Sequence, residues 1–119
     1  MIMKRTIVIL AILFPFTVSS QIKNPSSPLP ENEMVYYKEI NSEIFENWKE
    51  SANYYKGKNY EAIFEITIEK DGQIKISRIL KTSGHSDFDY SGIIAIFKTG
   101  KVTPPPNGKP LEIGIRFSP

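Results

Sequence analysis

The chain contains no cysteine, one histidine and one tryptophan in 119 residues. Without cysteine there is no disulfide, no thiolate metal ligand, no thiol nucleophile and no lipid-modified cysteine behind a leader. A single histidine, His85, rules out a paired-histidine zinc helix and any histidine-rich metal cluster. A phosphate-cradling loop is also missing, since Gly57-Lys58 has neither the upstream glycine nor the following Ser or Thr. Asn24-Pro25-Ser26 is barred from glycosylation by its proline. No apolar run reaches the ~20 residues that a membrane span needs; Thr6 to Val18 gives 13.

Catalytic groups are equally scarce. Ser83, His85 and Asp87 are near neighbours in a turn and cannot converge on one substrate without a shaped pocket. Asp87 and Asp89 stand where a helix begins and suit its amide end better than paired acid–base work. The expectation is no enzyme, no cofactor and no metal site.

What is present begins with an address. Lys4-Arg5, the apolar run Ile7–Phe16 and the small residues Val18 and Ser20 have the three-part build of a secretory leader covering residues 1–20. A retained leader would tether the chain to the membrane through residues 6–18. The formal charge of +2 belongs to this segment, because residues 21–119 hold 13 basic and 13 acidic side chains. A neutral mature chain speaks against nucleic acid as a partner. Tyr54, Tyr55 and Tyr60 with Lys56 and Lys58 lack the wider basic field that a single-strand platform requires.

Residues 21–33, with Pro25, Pro28 and Pro30 among Ser and Asn, read as a linker, and residues 34–119 as one domain. Tyr37, Ile40, Ile44 and Trp48 form one helical stripe within Met34–Glu50. Tyr60–Lys70 alternates as a half-buried strand. Asp71-Gly72 predicts a two-residue type I′ turn into a second strand carrying Ile74, Ile76 and Leu80, with a bulge near Arg78 where Ile79 breaks the alternation. Glu65 and Glu69 are expected to face Lys75 and Lys81 across this hairpin. Ser86 and Asp89 suggest a capping box on a helix to about Lys98, ended by Gly100 and carrying Gly92 in its interior. After the rigid Pro104–Pro106 connection, Leu111–Phe117 alternates as a third strand. The order α-β-β-α-β with a right-handed crossover predicts an α+β fold: two helices on one face of a three-stranded antiparallel sheet of order 2-1-3. The last strand is then an edge, with backbone donors and acceptors free for an added strand.

The run from Gly72 to Gly84, Phe88-Asp89, Ala95-Ile96, Pro104-Pro105-Pro106 and the final apolar strand resembles the C-terminal domain of the TonB/TolA superfamily. Trp48 behind an amphipathic helix and the ending Arg116-Phe117-Ser118-Pro119 resemble its TolA branch. The resemblance implies a periplasmic, Gram-negative domain that binds envelope proteins partly by strand addition at Leu111, Glu112, Ile113, Gly114, Ile115, Arg116 and Phe117. The same edge would also admit a second copy. Full transducers of the superfamily carry a membrane anchor and a long spacer, whereas Gln21–Asn32 reaches roughly 40 Å at most. The reading is therefore a free periplasmic binding module for envelope integrity or transport, with a short inner-membrane-tethered transducer as its alternative.

Overall fold

A computed structural model describes residues 31–119. The expected leader and the proline-bearing part of the expected linker lie outside the described residues. Helix α1 spans Glu31–Glu46, α2 Lys49–Tyr54, β1 Ala62–Ile68, β2 Ile74–Lys81, α3 Ser86–Thr99 and β3 Leu111–Phe117. The sheet is antiparallel in the order β2-β1-β3, as expected. Helix α1 begins three residues before the expected domain boundary, directly after Pro30.

The first helical segment is two helices rather than one. At Asn47 and Trp48 the chain tightens, with backbone bonds reaching back three residues to Ile44 and Phe45. Tertiary contacts hold this break. Asn47 Nδ2 donates to Thr99 Oγ1 at 2.8 Å, and the Trp48 indole N–H donates to Ser91 Oγ at 2.9 Å, so both side chains are drawn to α3.

The expected stripe Tyr37, Ile40, Ile44 and Trp48 is fully buried. It meets the alternate residues Phe64, Ile66 and Ile68 of β1, and Ile113, Ile115 and Phe117 of β3, together with Phe88 and Ile96 from α3. Trp48 packs edge-on against Phe117, with ring centres 4.9 Å apart, and against Phe88 at 5.8 Å. Gly92 lets α3 press onto the sheet, because a Cβ there would lie 3.0 Å from the rings of both Phe64 and Phe117.

The β1–β2 turn is one residue longer than the type I′ reading. Only Gly72 has a positive φ, +95°, and Asp71 does not. Glu69 pairs with Gln73 around Lys70-Asp71-Gly72, the three-residue loop with a left-handed glycine. Gly72 is also where another backbone arrives: its carbonyl accepts the Val102 N–H at 2.9 Å, and a Cβ would stand 2.0 Å from the Val102 oxygen.

Strand β2 is bulged twice, its register against β1 shifting on either side of Glu65 and Phe64 and leaving Ser77 and Leu80 unpaired. These shifts bracket Arg78, where the lost alternation placed one. The ion pairs across the hairpin differ in part from expectation. Lys75 reaches Glu69, but Arg78 takes Glu65 at 2.8 Å and Lys81 takes Glu61. Glu65, on the outer face, is nevertheless only 6% exposed. At α3 the expected capping box does not form. His85 is the N-cap without a side-chain bond, and Asp89 reaches back to accept the Ser83 N–H at 3.0 Å. Gly100 ends α3 at a φ of +63°, its N–H on Ile96 O.

Candidate docking edge

The two edges of this sheet are not equivalent. Along β2, the first residues are already covered by the chain's own segment Gly100–Val102: Ile74 N–H donates to Gly100 O, and Gln73 bridges to Lys101. Beyond that cover come the two bulges and the cations Lys75, Arg78 and Lys81, all features that blunt an edge against pairing. Strand β3 has no bulge, and Arg116 is its one cation. Its seven residues pair with β1 in unbroken register from Ala62↔Phe117 to Ile68↔Leu111, and among the described residues no segment pairs with its other side.

The alternation of antiparallel ladders shows which groups of β3 face outward. Since the Ile74 N–H points away from β1, Ile68 opposite it turns its backbone groups toward β3 and Leu111. Leu111, Ile113, Ile115 and Phe117 therefore bond to β1. Glu112, Gly114 and Arg116 turn their N–H and C=O groups away from β1, and of these Glu112 is exposed, Arg116 half-buried and Gly114 buried. The seven expected site residues thus divide into two sets, one bonded to β1 and the other with no ladder partner among the described residues.

Helix α1 packs on the same core as β3 through its buried stripe. Just past its end Asn47 bonds to α3, and Tyr36 and Glu39 hold Thr103. Another flank carries Met34, Asn41 and Phe45, the first exposed and the other two half-buried. At the head of the strand, Tyr36, Tyr37, Pro105, Pro106 and Leu111 line a shallow cleft. The sequence alone does not reveal this cleft, since its pieces come from α1 and the proline turn, about seventy residues apart. On the outer face Glu61 joins two strands, with Oε1 2.6 Å from Lys81 Nζ and Oε2 3.1 Å from Arg116 Nε. The Arg116 contact is off the hydrogen-bonding angle, so it acts as a charge contact only.

Tyr36 ties α1 to the segment before the proline turn, its hydroxyl donating to Thr103 O at 2.7 Å. Burial, with Glu39 and then Glu43 adding to it, pushes this phenol well above its ordinary value of 10.0. A group whose folded pKa is raised supports folding below its unfolded pKa and loses that support as pH climbs above it. Stability is therefore expected to hold up to about pH 10 and fall beyond it. In Tyr36→Phe the fall should be shallower, with a cost near neutral pH of about 1 kcal/mol for the lost hydrogen bond. Urea midpoints measured from pH 7 to 11 check both parts; an unchanged alkaline slope would contradict the assignment.

The turn residues Ser83, His85 and Asp89 are engaged in local contacts. His85 is exposed and stacks on Tyr60, with ring centres 4.0 Å apart, while Ser83 bonds the His85 backbone. Asp89 is engaged with the Ser83 amide. Among the described residues no group of three or more His, Cys, Asp or Glu side chains gathers as a metal site, and no helix is long and apolar enough to cross a membrane.

Two helices and a short third on one face of a 2-1-3 sheet, closing on an open last strand, coincide with a family match over residues 34–117 to the model described as TonB C terminal. The chain belongs to the TonB C-terminal family. Comparison with curated proteins and with solved structures gave no match. TonB C-terminal domains are non-catalytic interaction modules of the Gram-negative periplasm, and this domain is a TonB/TolA-like envelope interaction module.

Proposed function

We propose that this TonB C-terminal domain is a free periplasmic module that captures an extended segment of an envelope protein by strand addition along β3. One observation carries the reading: of two sheet edges, β2 is bulged, cationic and partly covered by its own chain, whereas β3 is regular and, among the described residues, unpaired on its outer side. Glu112, Gly114 and Arg116 supply the outward backbone groups, and the cleft with Pro105, Pro106 and Leu111 in its lining supplies an apolar seat for a guest side chain at the head of β3. Trp48 behind α1 and the Arg116–Pro119 ending favour a TolA-like role in envelope integrity or transport.

A photoreactive side chain at Glu112 is expected to trap an envelope protein in intact cells, and the same group at Lys75 on β2 to trap none. Adducts from Lys75 without adducts from Glu112 would overturn the reading. N-terminal sequencing of the protein recovered from cells should begin at Gln21. An intact N-terminus would support the tethered transducer instead.

A further inference from the structure

Helix α3 presents three surfaces, and two are accounted for. Phe88, Gly92, Ala95 and Ile96 are buried against the sheet. Ser91 and Thr99 meet α1 through Trp48 and Asn47. The third surface carries Tyr90, Ile94 and Phe97, with Ile93 at its margin, half-buried and packed partly against the core, one stripe at helical spacing. Tyr90 is 62% exposed and Phe97 66%, large aromatic area with nothing packed on it among the described residues. Asp87 and Lys98 flank the stripe. They are eleven residues and three turns apart, on the same side of the helix, both exposed, and neither joins an ion pair among the described residues.

We propose that this surface is a contact between two copies of the chain, α3 packing antiparallel on α3 about a two-fold axis between Ile93 and Ile94. Such an axis carries each position onto its mirror about that midpoint. Tyr90 then opposes Phe97 of the second copy, and Ile93 opposes Ile94. The operation also keeps each flank on its own side, so Asp87 lies about two residues, ~3 Å of rise, from Lys98 of the second copy. Aromatic meets aromatic and acid meets base, twice each, as a self-complementary interface requires. A partner of another kind would have no reason to match this internal symmetry.

Two short helices bury less than the ~1,200 Å² of a standard interface, so the dimer belongs to the weak, concentration-dependent class. Both β3 edges stay open in it, so the pairing is independent of strand capture and distinct from a dimer made through the edge strand.

The absence of cysteine gives a clean test. In the purified protein, Tyr90→Cys with Phe97→Cys is expected to oxidise to a covalent dimer. Within one copy the two positions are about 10 Å apart along α3, beyond the ~7 Å limit for a disulfide. Either cysteine alone should give little dimer, because equivalent positions of an antiparallel pair are separated by that same distance. A double variant that dimerises no more than the single ones would overturn the proposal. Sedimentation of charge variants gives the second arm. Asp87→Lys and Lys98→Asp should each weaken dimerisation about tenfold, and the two together should restore it. Failure of the double reversal to restore it would count equally against the proposed register.

Discussion

Ile113→Pro is expected to destabilise the domain strongly, and Glu112→Pro, one position earlier, to leave its stability nearly unchanged but make it unable to hold a guest strand. Ile113 is 1% exposed, pairs with Ile66 and turns its N–H to β1. Proline there removes a ladder bond and leaves the site of a buried isoleucine badly filled, a loss of at least ~3 kcal/mol. Domains of this kind have ~5–15 kcal/mol in hand. Glu112 is exposed and its N–H faces the open side, where an edge strand tolerates proline. The folded edge then offers a ring where a partner strand needs a donor. The measurements are a thermal melt of each variant and capture of envelope protein by tagged Glu112→Pro. Undiminished capture would mean that β3 does not bind by backbone pairing.

Trp48→Ala should be nearly as damaging. The indole is 1% exposed, packs edge-on against Phe88 and Phe117, and closes a short relay in which its N–H donates to Ser91 Oγ and Ser91 donates to Phe88 O. Removing it costs about 3–5 kcal/mol of packing, and it frees the chain at the break between α1 and α2. Trp48→Phe keeps most of the ring volume and gives up the N–H bond, so a loss of about 1–2 kcal/mol is expected. Circular dichroism against urea separates the two. Equal midpoints for both variants would show that the ring stacking contributes little.

The strands, their order and the buried α1 stripe are legible in the sequence alone, because β1 and β3 alternate cleanly and Tyr37, Ile40, Ile44 and Trp48 keep one helical phase. The features that sequence does not carry share a cause. Asn47 and Trp48 have ordinary helical neighbours, and what breaks the helix is their bonding to Thr99 and Ser91, some fifty residues onward. The Asp71-Gly72 turn is lengthened because Gly72 must receive Val102. Asp89 turns from Ser86 to Ser83 once the β2–α3 connection folds back. The candidate site on β3 is legible from the strand's terminal position. The contrast with β2 is not, since it depends on Gly100–Val102 lying against Gln73 and Ile74, a pairing with no local sequence signal.

That short pairing also sets the valence of the sheet. Were both edges bare, the last strand of one molecule would find the second strand of the next, and the contact would repeat head to tail into a growing fibre. With Gly100–Val102 in place, one edge is a chain terminator. In the proposed strand capture the sheet then takes a single guest, and the edge that binds does not also lead to polymerisation.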